Sequence, residues 1–509
     1  MLADSPRTLA ALLSAQAADA PAIGASGRDW LSHGALRDLT AEVRGTLHGL
    51  GMTASDRIAI VLPNGPEMAT AFLTIAQVAT TAPLNPGYKR NEFDFFLTDL
   101  RARALIVAAG SDGPAEASAR ALGMTVLRLE PLQGPAGGFR LIGDGTPHPA
   151  RLPTEDDIAL ILHTSGTTSR PKIVPLLQSN LCASAENIVA ALSLTPGDRC
   201  LNVMPLFHIH GLVASLLASL AAGGSVFCTP GFDALGFYGW MDEARPTWVT
   251  AVPTMHQAIL GRATRNRATI ASRPLRFLRS SSAALPPNVM AELAATFGAP
   301  VIEAYGMTEA AHQMTSNPIA PGAQRQGSVG RAAGPMVRIA DEMEARLIEG
   351  IGEVVIAGVN VMPGYEGNEE ANRSAFFVAE GQRWLRTGDQ GWIDAEGYLR
   401  LNGRLKEIIN RGGEKISPLE VDNVLMDHPA IAQVVAFAAP HVTLGEEVAA
   451  AVVLREGHSA TEREIRDFAA QRMVGFKVPR RIIIVEELPK GATGKLQRIG
   501  LAKRLGLCD

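Results

Sequence analysis

The chain has 509 residues, too many for one ordinary hydrophobic core, so two or more domains are expected. Its apolar content of 47% is that of a globular protein, and a net charge of −4 with both signs interspersed excludes nucleic acid or an anionic membrane as the main partner. Four cysteines, Cys182, Cys200, Cys228 and Cys508, show no CxxC spacing, which excludes a disulfide framework and a zinc site.

The first residues read as an amphipathic helix without the charged start and long apolar stretch of a signal peptide, so a cytoplasmic location is expected. A short strand-like run at 57–62 is followed by helical spacing through 67–80. Further strand-like runs fall at 104–108, 125–129, 158–163, 247–252, 275–279 and 301–304, separated by helical segments. This alternation predicts an α/β fold, a large N-terminal domain of layered, largely parallel sheets flanked by helices. The apolar segment 212–222 is well short of the roughly 20 residues of a membrane span.

The last hundred or so residues have a different character. Ser417-Pro-Leu-Glu420 is a capping box with proline at the first helical position, and Thr461-Glu-Arg-Glu464 is a second. Strand-like runs lie at 433–438, 448–454 and 481–485. A small α+β C-terminal domain is predicted, with the join near Gly403-Arg-Leu-Lys406.

The strongest local signal is the segment 160–172, LILHTSGTTSRPK. An apolar strand runs into a loop of Thr, Ser and Gly that offers hydroxyl and backbone N–H donors to phosphate oxygens, and glycine lets the backbone approach closely. Neither the Walker A pattern nor the dinucleotide GxGxxG occurs, so a nucleotide site must be built in another way.

The run TSGTTSRPK resembles the signature of the adenylate-forming superfamily of acyl-CoA synthetases, luciferases and peptide-synthetase adenylation domains. Tyr305-Gly-Met-Thr-Glu309, Thr387-Gly-Asp389, Gly403-Arg404 and Pro489-Lys-Gly-Ala-Thr-Gly-Lys495 follow in the family's order over nearly the whole chain. The resemblance implies domains at 1–403 and 408–509, the second one mobile, joined by a hinge at 404–407 around Lys406. It implies ATP, Mg²⁺ and CoA as cofactors. ATP would be bound by Thr164, Ser165, Gly166, Thr167, Thr168, Lys172, Ser282, Ala283, Glu303, Ala304, Tyr305, Gly306, Met307, Thr308, Asp389, Arg404 and Lys495. Tyr305 would stack on adenine, Asp389 would accept from both ribose hydroxyls, and Thr164 together with Glu309 would hold Mg²⁺. Lys495 would bridge the attacking carboxylate and the phosphate, Gly412 and Gly413 would flank the CoA arm, and His208 would lie where the acid and thiol channels meet. Catalytic weight falls on Lys495, His208, Glu309 and Thr164.

In the acid-binding segments, Arg279, Ser280, Ser281, His208 and His312 form a polar set where an apolar channel would suit a fatty acid. This combination resembles oxalate–CoA ligases, because a dicarboxylate brings a second negative charge to be met by cationic and hydroxyl donors. Malonate ligases carry arginine just before the YGMTE tyrosine, where this chain has Ala304. Ligases for malonate or a medium-chain fatty acid, a stand-alone adenylation domain and a luciferase-like enzyme are the alternatives, and a monomer or homodimer is expected. Ile173 stands where most relatives have glycine after the loop lysine, and a left-handed backbone there would be strained.

Overall fold

The computed structural model describes residues 7–143, 151–164, 171–491 and 496–507. Two large sheets make the N-terminal body. A nine-stranded sheet has at its centre Trp248–Ala251, Phe277–Ser280 and Val301–Met307 in parallel, with His312–Ser316 antiparallel at one side. A seven-stranded sheet runs through Ala104–Ala108, Arg57–Val61 and Thr80–Pro83 to the hairpin Ile158–Thr164 and Lys172–Leu177. The central strands are buried on both faces because helices cover both sides, as parallel sheets require.

A third sheet of six strands, from residues 336–404, is antiparallel throughout. Largely parallel layers were expected; here short turns such as that closed by Asp394 N to Tyr398 O (3.0 Å) leave no room for a crossover helix. The fourth sheet takes its five strands from residues 409–484. Of the two expected capping boxes, that at Thr461 is complete, with Thr461 Oγ1 accepting from Glu464 N (3.2 Å) and Glu464 accepting from Thr461 N ahead of Glu462–Ala470. Ser417 Oγ accepts from Glu420 N (3.2 Å) ahead of Pro418–Met426, but the Glu420 carboxylate is held by Lys477 instead of closing the box.

Two features bear on the site. His210–Leu217 is a π-helix, wholly buried, of the kind that concentrates at functional positions. In the small domain Arg498 is clasped by Asp422 (2.9 Å), Glu407 (3.2 Å) and the Ala436 carbonyl. No helix among the described residues is long and apolar enough to cross a membrane.

Candidate active site

The phosphate side begins where Ile158–Thr164 ends. Thr164 pairs with Lys172 across the hairpin, and residues 165–170, including Ser165, Gly166, Thr167 and Thr168, lie outside the described residues. Ile173 sits inside its strand opposite His163, packed in an apolar cluster with Phe96 and Ile161. It is absent from the positive-φ residues, so the backbone carries no left-handed strain there. Lys172 Nζ lies 4.4 Å from the centre of the Tyr365 ring, and Tyr365 OH donates to Glu309 Oε1 at 2.8 Å. Tyr365 was not singled out by sequence, since nothing local marks it. Its hydroxyl is held protonated by burial first and then by the Glu309 charge.

Glu309 suits a hard cation. Only Oε1 of its carboxylate is engaged among the described residues, and no cluster of three His, Cys, Asp or Glu side chains there could hold a metal by itself. A cation at Glu309 and Thr164 would complete its shell from phosphate oxygens and water, the habit of Mg²⁺. Tyr365→Phe is expected to weaken Mg²⁺ dependence of ATP–pyrophosphate exchange by about 10- to 100-fold in metal half-saturation or rate, as loss of a ligand-orienting hydrogen bond does. A Mg²⁺ titration of the variant checks it; an unshifted curve removes Tyr365 from this role.

The nucleoside side is built on the hairpin between Val301–Met307 and His312–Ser316. A Cβ on Gly306 would stand 1.7 Å from the His312 carbonyl oxygen, so only glycine fits this close approach. Tyr305 OH donates to Asp389 Oδ2, and Arg404 Nε lies 3.4 Å from Asp389 Oδ1. These contacts fix the orientation of the carboxylate, and the Asp389 charge holds Arg404 firmly protonated. Met307 and Thr308 are half-buried at the turn, while Ala304 is buried and Ala283 is exposed.

Glu303 is turned inward. Its Oε1 accepts from Leu285 N at 2.9 Å, bracing the 283–285 turn from beneath, and burial pushes its carboxyl up to about 8. A carboxyl with a raised native pKa contributes its stability at acid pH and loses it as the pH climbs; here the window runs from about 4.5 to about 8. Glu303→Gln is therefore expected to flatten the fall in melting temperature over that window and to leave the protein more stable than the parent above pH 8. Parallel melts at pH 5, 7 and 9 test this, and identical slopes would refute the assignment.

The residues expected to bind the acid lie around the carboxyl ends of Trp248–Ala251 and Phe277–Ser280, the edge where open α/β sheets bind ligands. His208 is half-buried, with Nδ1 accepting from His210 N at 3.3 Å. His210, the next histidine, is buried; its ring lies 5.1 Å from that of His312. His210 Nδ1 meets Ser282 Oγ at 3.0 Å and Nε2 meets Thr250 Oγ1 at 2.6 Å. Arg279 is 0% exposed and lies beneath this group rather than on an open pocket wall. Its guanidinium donates to Thr250 Oγ1 (3.4 Å) and Gln313 Oε1 (3.1 Å), and no described carboxylate pairs with it. Burial lowers its pKa to about 10, which leaves it cationic near neutrality.

Ser280 and Ser281, expected to donate in the pocket, are both fully buried. Ser281 Oγ donates to the Ala304 carbonyl (2.8 Å), so its proton is directed into the sheet. Ser282, assigned to ATP by resemblance, is the half-exposed member of the run, in a left-handed conformation (φ 74°). His210, Gln313 and Thr250 were not among the expected acid-site residues. The signal for His210 was present as the second histidine of His208-Ile-His210, but spacing alone does not say which ring turns inward.

In the small domain Lys495 lies outside the described residues. Gly412 and Gly413 form the two-residue turn between Ile409–Arg411 and Glu414–Ile416, both with positive φ as such a hairpin demands. Lys406 lies in the 3₁₀ turn Leu405–Glu407 that leaves the third sheet.

Two family profiles match the chain: the one described as AMP-binding enzyme over residues 12–366, and the one described as AMP-binding enzyme C-terminal domain over 420–495. An oxalate–CoA ligase of Arabidopsis thaliana is 43% identical over 94% of each chain. One from Saccharomyces cerevisiae is 40% identical over 88% of this chain and 86% of its own. The crystal structure of ATP-bound MatB from Rhodopseudomonas palustris superposes with a TM-score of 0.85 at 29% identity, covering 98% of each chain.

Proposed function

Because this chain belongs to the AMP-binding enzyme family and is an AMP-forming acid–CoA ligase, we propose that the acid it activates is oxalate. The observation that carries this reading is Arg279: a fully buried cation with no carboxylate partner among the described residues, placed under two histidines at the acid end of the site. A buried charge without a counter-ion is costly, and a dianionic substrate supplies the missing sign. A fatty acyl chain would meet buried polar groups it cannot satisfy.

The reaction has two halves. A carboxylate oxygen of the acid attacks the α-phosphorus of ATP, and pyrophosphate leaves. Glu309 and Thr164 would hold Mg²⁺, which would neutralise charge on the phosphates. Lys172 and the 164–168 donors position the phosphates, Asp389 with Arg404 and Tyr305 orients the ribose, and Lys495 offsets the charge as two anions approach. The small domain, taken as 408–509, then turns about Lys406. The Gly412-Gly413 hairpin comes to the thiol channel, and the CoA sulfur attacks the adenylate carbonyl as AMP leaves. Splitting one difficult acyl transfer into two steps through a good leaving group is what makes thiol attack feasible.

A panel of ATP–pyrophosphate exchange with oxalate, malonate, acetate and octanoate tests the acid. Oxalate is expected to lead, with malonate behind it because Ala304 offers no charge to a more distant carboxylate. Octanoate in front would end the oxalate reading.

A further inference from the structure

Arg279, Thr250, His210 and Ser282 form one hydrogen-bonded series from the interior of the nine-stranded sheet to the acid end of the site. The distances along it are 3.4, 2.6 and 3.0 Å. Hydrogen-bonding capacity sets its direction. A guanidinium has only donors, so Thr250 Oγ1 accepts from Arg279. The Thr250 hydroxyl proton must then find an acceptor, and among the described residues the group placed to receive it is His210 Nε2. A neutral imidazole that accepts at Nε2 carries its proton on Nδ1, and Nδ1 faces Ser282 Oγ.

We infer that Arg279, acting through Thr250, fixes His210 as the Nδ1–H tautomer, so that the Ser282 hydroxyl accepts from His210 and presents its own proton to the distal carboxylate of the acid. Arg279 and Thr250 are thus positioning residues and Ser282 is the selectivity-determining donor. Two features of the backbone agree. Ser282 holds a left-handed backbone (φ 74°), a conformation that is unfavourable for serine and persists where the surrounding structure enforces it. His210 opens a π-helix whose unusual winding sets its ring between Thr250 and Ser282. The inference rests on the oxalate reading only for the identity of the group that accepts the serine proton; the tautomer is a property of the protein without substrate.

The test is ¹⁵N-histidine NMR of the full chain, with His210 assigned as the resonance lost in His210→Gln. A neutral ring with Nδ1 protonated and Nε2 bare is expected. Thr250→Val, which keeps the shape and removes the hydroxyl, is expected to shift the ring toward the Nε2–H form. It should also raise KM for oxalate by about tenfold, with KM for ATP unchanged. Thr250→Ser, which restores the hydroxyl in a smaller side chain, is expected to recover both. A packing role would give the opposite order, valine tolerated and serine impaired. An Nε2–H or doubly protonated His210 in the parent protein overturns the inference, as does a valine variant with parental spectrum and KM. If Thr250→Val does not fold, the parental spectrum still decides. Failure of oxalate in the substrate panel would leave the tautomer assignment to stand or fall on the spectrum alone.

Discussion

Replacing Lys495 by alanine is expected to slow acyl-adenylate formation by about 10²–10³-fold. Formation of the CoA thioester from supplied adenylate should stay within a few-fold of the parent. The asymmetry follows from charge. In the first half-reaction a carboxylate must approach a phosphate that is already anionic, and a cation placed between them is worth most at that instant. In the second half the attacking group is a sulfur and the target a neutral carbonyl carbon, so the same cation has little to do. Chain anchors stand on both sides of the lysine: Lys490 and Leu496 form a β-bridge, and Arg498 is clasped by Asp422 and Glu407. Removal of the side chain alone should therefore leave the surrounding fold in place. Exchange and single-turnover thioester assays on the same preparation check the outcome, and equal losses in both halves would sink the assignment.

Arg279→Met is expected to reduce kcat/KM for oxalate by about 10- to 100-fold, the loss that follows when a residue supporting the binding group from behind is removed. It should leave the melting temperature unchanged or higher. The two effects have opposite signs for one reason. Without substrate the guanidinium is a desolvated charge whose partners are neutral, Thr250 and Gln313, and its Nε has no hydrogen-bond partner. Methionine of similar length removes that penalty, as hydrophobic replacement of buried ions does elsewhere. Acetate, with one carboxylate, should lose much less activity than oxalate. A variant that melts well below the parent would show that Arg279 holds the sheet together rather than serving the acid.

Much of the large domain could be read from residues. The run at 104–108 matches the strand Ala104–Ala108, and that at 158–163 the strand Ile158–Thr164. The helix expected over 67–80 instead spans Pro66–Ile75 and gives way to the strand Thr80–Pro83. Nearly every residue there is buried, so no polar stripe marks the change of period. The same uniform burial hides the π-helix His210–Leu217, whose eight residues are all interior. At the site, charge type was legible but direction was not. Arg279 and His312 were identified as acid-site residues, yet whether a side chain meets the substrate or supports another that does depends on partners distant in sequence. Tyr365 and Glu309 are 56 residues apart, and Thr250 and His210 are 40 apart. The left-handed turn at Ser282 is equally invisible, since serine carries no mark of it.

The Arg498 clasp has a consequence for domain engineering. It joins Glu407, the last residue of the 3₁₀ turn where the hinge is proposed, to Arg498, three residues after Lys495 in sequence. A chimera that exchanges only part of the C-terminal region, with a junction anywhere between 407 and 498, would mate one protein's clasp with another's socket and set the lysine on a foreign lever arm. A graft cut ahead of Leu405 and carried past Arg498 transfers both ends together. Such a graft is expected to keep the donor's own relation between the proposed hinge and its lysine.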